Sequence, residues 1–291
     1  MTGFRVPAFL QAISAWIALA PVLVFMLAFF VLPAIGLVQI SFYPHTAGTV
    51  LTPGFTLAHY AKVLTDPFYL SKMLLTLRVC ALVVFFSLLL AYPVAYVLVR
   101  GRFAGKGLMI GLLLSPLLTN FVVLVFSWIL LFGPGSFLMK GLQPLFGAGF
   151  KLLYSESGLV ISLVHVAFPY ALIPVITAIA QIDKSLEEAA LSLGAGPWKT
   201  FFLVVLPLSV PGALSAAFVT VTIVLSSFAF ALYIGGDSVL IVPLLIWQAV
   251  RDTLNWPLAA ALSVSSFLVI FALLGIGMHL AGLTRAQRRL A

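Results

Sequence analysis

The stretch from Asp183 to Pro211 is the one part of the sequence in which charged residues, glycines and prolines follow an ordered spacing. Ser185 and Glu188 have the spacing of a capping box, in which a hydroxyl and a carboxylate each accept a backbone N–H at the start of a helix. Gly194 stands where a left-handed C-terminal cap ends that helix, and Pro197 fits the first turn of a second one. The apolar face of the first helix is predicted from small and aliphatic residues: Leu186, Ala189, Ala190 and Leu193. These signals predict a helical hook between two apolar segments, with the linker Gly194-Ala195-Gly196.

Other residues that could do chemistry do not form a reactive set. Residues 101–107 resemble a phosphate-binding loop, but Gly107 stands where a hydroxyl is needed to bind magnesium. His165 and His279 lie in or beside apolar runs without the spacing of paired metal ligands, and the single Cys80 excludes a cysteine metal cluster. The sequence therefore predicts a non-catalytic chain that binds no metal and no cofactor.

The hook also carries a longer motif: Glu188-Ala189-Ala190, three residues, Gly194, nine residues, and then Val204-Val205-Leu206-Pro207. This motif resembles the EAA loop of bacterial ABC importer permeases, which lies in the cytoplasm and docks a short helix into a groove of the ATP-binding subunit. The resemblance implies that ATP and magnesium are bound by partner subunits. It also implies ATPase-coupling roles for Glu187, Glu188, Ala189, Ala190, Gly194, Leu206 and Pro207. Helix capping alone would explain Ser185, Glu188 and Gly194, but neither the two alanines nor the Leu-Pro pair at its fixed distance.

The elements that must position the hook follow from composition. Of the 291 residues, 63% are hydrophobic and 8% charged, whereas a soluble domain carries about a quarter charged residues. The chain is therefore predicted to be a polytopic membrane protein. Its net charge of +8 comes from basic residues scattered between apolar runs, which favours a role in membrane orientation over nucleic-acid binding.

Apolar runs of about 20 residues, enough to cross the hydrocarbon core, predict an all-α fold with six transmembrane helices. The resemblance identifies this as the type I ABC importer transmembrane-domain fold, in one domain that spans residues 1–291. The predicted spans are 15–40, 73–99, 108–132, 158–182, 209–234 and 257–281, and the coupling loop is 183–208. We expect a short interfacial helix near 58–64 and a re-entrant or interfacial helix within 235–256.

The distribution of basic residues predicts the orientation. Nine lysines and arginines fall on the side that holds both termini and the hook, against five on the other side. An excess of Lys and Arg marks the cytoplasmic side, so both termini and the hook are predicted to be cytoplasmic, in a bacterial inner membrane. Arg78 lies within a predicted span and is counted on neither side, but its long side chain can reach the outer interface by snorkelling.

The resemblance extends over essentially the whole chain, and two segments, 91–96 and 256–261, are similar to the permease branch that serves spermidine and putrescine. It implies four partners: a second permease chain, two ATPase copies and an extracytoplasmic solute-binding protein. A homodimer of permeases stays an alternative. Related branches carry opines, phosphonates or ferric iron.

Residues beside helix kinks and in the outer loops are candidates for the substrate pathway. They are Tyr92, Pro93 and Tyr170 near prolines that bend the spans, and Asp237, Trp247 and Asp252, which could receive an organic cation. The alternatives are static kinks, interfacial tryptophans and solvated carboxylates. An ion-coupled carrier is a further alternative, but it usually needs ionisable groups within the bilayer, and the predicted spans hold no Asp, Glu or Lys and one arginine, Arg78. A third hypothesis for the function is a membrane scaffold that transports nothing.

Overall fold

The computed structural model describes residues 19–46, 51–147 and 149–288, and this part of the chain is helical, without a β-strand. Residues 15–18 of the predicted first span lie outside the described residues, as do Arg5 and Arg289 of the charge count. The helices are α1 Leu19–Ile40, α2 Ala58–Thr65, α3 Pro67–Arg100, α4 Lys106–Leu118, α5 Phe121–Phe132, α6 Phe137–Phe146, α7 Glu156–Ala180, α8 Lys184–Ser192, α9 Pro197–Leu208, α10 Val210–Ser226, α11 Phe228–Ser238, α12 Val242–Arg251 and α13 Trp256–Arg288.

Short polar residues start the two longest central helices. The carboxylate of Asp66 accepts the N–H of Phe68 at 2.9 Å before α3, and the hydroxyl of Ser155 accepts the N–H of Gly158 at 3.1 Å before α7. These side chains satisfy amide groups that have no partner inside the helix, which is why Asp and Ser are favoured there. Both helices therefore have defined starting points, and the apolar runs behind them set their lengths.

Helix α7 lies at the centre of the molecule, where it packs against α3 on one side and α10 on the other. Its most apolar window is 61% buried, the highest share among the long helices of the described chain. The approach of α10 is close because Gly212 presents no side chain to Ala178 and to the carbonyl of Pro174 on α7. At the periphery, α1 packs on α13 and has no buried residue.

Two hydrophobic cores are stacked along the long helices. The core near the hook joins α3, α7 and α9 and includes Ala91, Leu172 and Val205. The other core, toward the opposite end, includes Val83 of α3 and Leu163 of α7. The middle and the C-terminal end of α3 are therefore held against α7 by packed apolar side chains, whereas Met73 near its start belongs to a third core with α12 and α13.

Three of the apolar runs are bent rather than straight. The angles are 100° between α4 and α5, 66° between α9 and α10, and 91° between α11 and α12. The described chain thus has four unbroken helices long enough to cross a membrane, or up to seven spans if each bent pair is one. The predicted number of six lies within this range and stays a prediction.

The break between α4 and α5 divides the run 108–132, which the sequence predicts as one continuous span. Its cause is local: Thr119 and Asn120 adopt extended backbone conformations just after Pro116, and the side chain of Asn120 accepts the N–H of Val122 at 2.9 Å. Asn120 therefore starts a new helix instead of continuing the old one.

The loop before α3 folds back on itself, and the short helix predicted near 58–64 is confirmed as α2. The hydroxyls of Ser41 and Tyr60 lie 2.6 Å apart, and the ring of His59 donates its Nε2 proton to the carbonyl of Tyr43 at 3.1 Å. Burial lowers the pKa of His59 below its ordinary value, so the neutral imidazole is favoured there.

Candidate functional site

The hook consists of α8 and α9, and α8 starts earlier than the sequence pattern predicts. Asp183, not Ser185, is the cap: its backbone is extended, and its carboxylate accepts the N–H of Ser185 at 2.9 Å. This hydrogen bond holds the pKa of Asp183 below its ordinary value. The predicted capping box of Ser185 and Glu188 is therefore wrong. Glu188 instead pairs with Lys184 one turn away, at 3.0 Å.

The C-terminal end of α8 is a Schellman motif built on Gly194. Gly194 has φ of +84°, the left-handed conformation that the sequence predicts for it. The N–H of Gly194 donates to the carbonyl of Leu191 at 3.0 Å, and that of Ala195 to the carbonyl of Ala190 at 3.0 Å. After this turn α9 begins at Pro197, as predicted.

Most of the surface of α8 is not covered by the rest of the described chain. Of the nine residues of α8, all of which are described, Glu187 is the one that is buried. Leu193 and Trp198, which follow α8 in the hook, are 89% and 77% exposed. Ala189 is exposed and Ala190 half-buried, so the predicted apolar face has almost no packing partner within the described chain.

Glu187 is held by the last turns of α3. The Nε of Arg100 donates to Glu187 Oε1 at 2.8 Å, with Arg100 Nη2 at 2.7 Å from the same oxygen, and the hydroxyl of Tyr96 donates to Oε2 at 2.8 Å. Arg100 Nη2 also donates to the carbonyl of Ile182 at 2.8 Å, just after α7. Three segments of the chain therefore meet at one guanidinium group.

Leu206 and Pro207, the end of the predicted motif, do not share the exposed surface of α8. Both are half-buried, and Leu206 packs against the core near the hook. The 66° bend into α10 comes directly afterwards, at Ser209. These two residues therefore lie at the junction of hook and span, and a coupling role for them would act through that junction.

The residues predicted at the kinks have different surroundings. Tyr92 is 8% exposed, and its hydroxyl lies 3.1 Å from the hydroxyl of Ser209, so it contacts the junction of hook and span. Pro93 is exposed and Tyr170 is half-buried. Tyr92 is thus packed inside the protein, and its pathway role stays a prediction.

The residues predicted in the outer loops lie near α12. The guanidinium of Arg251 sits 4.6 Å from the ring centre of Trp247, and the ring of Phe228 stacks on Trp247 at 6.4 Å. The cation that Trp247 receives in this structure is therefore an arginine of the same chain. Asp237 and Asp252 are exposed. The structure does not bring the kink residues and the loop residues to one place, since Tyr92 and Trp247 pack against different cores.

A groove of about 670 Å³ runs between α3 and α7, away from the hook. It is lined mainly by apolar side chains, and Arg78 pairs with Glu156 at 3.0 Å at one end. The arginine left over from the charge count thus has a partner that sequence spacing did not indicate. Within residues 19–46, 51–147 and 149–288, no group of three or more His, Cys, Asp or Glu side chains could hold a metal ion.

Arg100 and Tyr96 are the site residues that sequence reasoning missed. They lie 87 and 91 residues before Glu187 along the chain. The one available signal was an arginine at the end of an apolar run on the same predicted side as an acidic hook, and it served only to set the orientation. Contact between them depends on the packing of α3 against α7, which no local pattern encodes.

Several permeases of known transport systems are similar in sequence to this chain. The spermidine/putrescine transport system permease protein PotB of Escherichia coli (strain K12) is 26% identical over 264 residues, which cover 90% of this chain and 94% of that protein. PotB of Haemophilus influenzae (strain ATCC 51907 / DSM 11121 / KW20 / Rd) is 28% identical over 251 residues, with 85% and 87% covered. The molybdenum transport system permease protein ModB of Escherichia coli (strain K12) is 37% identical over 150 residues, 52% of this chain and 64% of that protein.

Two solved structures and one family model also match this chain. A bacterial ABC transporter involved in the import of the acidic polysaccharide alginate has a TM-score of 0.74 at 16% identity, over 93% of this chain and 96% of that chain. The MetNI methionine ABC transporter in inward-facing conformations has a TM-score of 0.54 at 19% identity, over 75% and 97%. These structures show the fold alone. Residues 83–285 match the family described as binding-protein-dependent transport system inner membrane component, more than half of the chain, and the chain therefore belongs to this family of multi-pass inner-membrane permeases.

Proposed function

We propose that this chain is the permease subunit of an ATP-driven importer and that α8 docks on a cytoplasmic ATPase subunit. The exposure of α8 carries the proposal. Outside the two cores, the hook leaves Leu193 and Trp198 uncovered by the rest of the described chain, next to the exposed carboxylate of Glu188. An apolar patch beside a charged group is typical of a contact surface for another protein.

The energy source in this proposal lies on partner subunits. Two ATPase copies hydrolyse ATP, and their movement reaches the spans through α8. The pathway forms between this chain and a second, different permease chain, and an extracytoplasmic binding protein delivers the solute. Both termini and the hook are cytoplasmic in this arrangement, in agreement with the excess of basic residues on that side.

We infer that the solute is a polyamine. Two polyamine permeases align with 85–90% of this chain, whereas the molybdenum permease aligns with about half of it. The alginate and methionine transporters are similar in fold only and do not bear on the solute. Tyr92, Pro93, Tyr170, Asp237, Trp247 and Asp252 remain our candidates for contact with it.

Docking is tested by purification of the tagged chain in detergent, together with the subunits of its transport system. The Glu188→Lys chain should retain about tenfold less ATPase subunit than the wild type, because the charge at the contact surface is reversed. Asp252→Lys is the matched control, since it reverses an exposed carboxylate on the opposite predicted side and should retain the subunit. Wild-type retention by Glu188→Lys would overturn docking through this surface.

The solute is tested in proteoliposomes that contain the complete complex. ATP and spermidine-loaded binding protein should drive spermidine uptake, and molybdate should not compete. Uptake of molybdate instead would overturn the polyamine assignment and leave the importer intact. Uptake under a proton or sodium gradient, without any ATPase subunit, would overturn the importer itself. A scaffold would give no uptake under either condition.

A further inference from the structure

Glu187 is buried on a helix that is otherwise exposed. Its side chain is 7% exposed, whereas that of Glu188, the next residue, is 61% exposed. Burial of a carboxylate is unfavourable unless it is paired and hydrogen-bonded. A chain that needed only to attach α8 to its spans could place a leucine there, so the ionised group points to a more specific task.

The partners of Glu187 determine the position of α8 in more than one direction. Arg100 reaches Oε1 through Nε and Nη2, at 2.8 Å and 2.7 Å, while Tyr96 reaches Oε2 at 2.8 Å. Charge-assisted hydrogen bonds to both oxygens of a carboxylate fix its orientation as well as its distance. A hydrophobic contact would allow α8 to slide or rotate, and this arrangement does not.

The same guanidinium is attached to the end of α7. Arg100 Nη2 donates to the carbonyls of Ile182 at 2.8 Å and of Ile179 at 3.4 Å. A positive charge is favoured beside the carbonyl groups at the C-terminal end of a helix. Arg100 thus connects α3, the end of α7 and α8, and α3 and α7 extend from it along both cores.

A second contact holds the same part of α3. The ring of Phe201 in α9 meets the rings of Tyr92 and Tyr96 edge-on, with centre distances of 6.2 Å and 5.6 Å. The two ends of the hook, α8 through Glu187 and α9 through Phe201, therefore both contact the last turns of α3.

We propose that Arg100, Glu187 and Tyr96 form a rigid joint through which movement of α8 reaches α3 and α7. They act as positioning residues. The two neighbouring glutamates have different roles, since Glu188 contacts the ATPase subunit and Glu187 attaches α8 to the spans. This inference rests on the proposed function. It assigns to Glu187 an internal role instead of a place on the docking surface.

The test of the joint must distinguish the contribution of the ion pair to the stability of the fold from its role in fixing the position of α8. Replacement of a buried ion pair by apolar residues of similar size is often neutral or stabilising, whereas removal of one partner leaves an uncompensated charge. The key variant is therefore the double substitution Arg100→Met with Glu187→Leu. Glu187→Gln and Arg100→Gln are the single variants, and Arg102→Gln, an exposed arginine in the following loop, is the matched control.

Three quantities are measured on the complete complex: its melting temperature in detergent, the ATPase subunit that it retains, and the spermidine taken up per ATP in proteoliposomes. The double variant should melt like the wild type and retain the ATPase subunit, but its uptake per ATP should fall about tenfold. Arg102→Gln should match the wild type in all three.

Each alternative outcome has a distinct meaning. Normal uptake per ATP in the double variant would show that the ion pair is not needed to transmit movement, and would overturn the joint alone. Loss of the ATPase subunit from that variant would place Glu187 on the docking surface and would also overturn the joint. A wild-type chain that retains no ATPase subunit would overturn the proposed function, and the joint with it.

Discussion

At the scale of single residues, two carboxylates that are adjacent in the sequence of the hook lie in different surroundings. Successive helical residues point about 100° apart, so Glu187 and Glu188 face different surroundings. Glu187 meets Arg100 and Tyr96, and Glu188 meets Lys184 on the surface. Two identical residues side by side therefore have different partners and different expected effects when they are changed.

Gly194 allows a prediction at this scale. No atom lies within 4 Å of a Cβ placed on Gly194, so Gly194→Ala has no steric clash and its cost comes from φ of +84° alone. A left-handed alanine costs about 1 kcal/mol, which should speed amide exchange in the last turn of α8 about fivefold. Hydrogen exchange with mass spectrometry measures this directly.

The control for that prediction is two residues away. Gly196 has φ of −72° and is also free of contacts within 4 Å of a Cβ, so Gly196→Ala should leave exchange in α8 unchanged. Equal exchange in wild type and Gly194→Ala would mean that the Schellman turn does not hold the end of α8.

At the scale of elements, the packing of α10 on α7 depends on one missing side chain. A Cβ on Gly212 would overlap with Ala178 and would come within 2.8 Å of the carbonyl oxygen of Pro174. Gly212→Ala should therefore push the helices apart and lower the free energy of unfolding by about 1–3 kcal/mol. The melting temperature of the purified chain in detergent is the measurement.

Gly275→Ala in α13 is the comparison for Gly212, since no atom lies within 4 Å of a Cβ at Gly275. This variant should melt at the wild-type temperature or slightly above it, because alanine is favoured over glycine inside a helix. A similar loss of stability in both variants would show that the close approach of α7 and α10 at Gly212 is not the cause of the loss.

The long helices and the break between α9 and α10 could be predicted from the sequence, whereas the break between α4 and α5 could not. Pro207 and Pro211 indicate where the hook ends and α10 begins, near Ser209. The break at Thr119 and Asn120 has no glycine and no charge, and it differs from ordinary span sequence only in two polar residues. Such residues are compatible with a continuous helix, so the sequence alone does not predict that Asn120 caps a new helix there.

The same limit applies to the hook. Gly194 and Pro197 carry local backbone signals, and the structure confirms the conformations that they predict. The cap was predicted two residues late, because Ser185 and Glu188 also have a valid capping spacing and sequence alone does not rank Asp183 above them. The contact of Glu187 with Arg100 needs the full fold and carries no local signal.

At the scale of the whole molecule, the arrangement of helices predicts which surfaces face each side of the membrane. In a Cys80→Ser background, a cysteine at Ser192 in the hook should react with an impermeant maleimide only when the cytoplasmic side is open. A cysteine at Phe146, at the end of α6, should react in intact spheroplasts. Both positions are exposed. The reverse pattern would overturn the predicted orientation.

The peripheral position of α1 has a consequence for how the sequence can change over time. Because none of its described residues is buried, packing within the described chain constrains its side chains little, and many apolar residues are compatible with such a position. Helix α7, enclosed by α3 and α10, has no such freedom. We expect the sequence of α1 to differ more among distant relatives than that of α7.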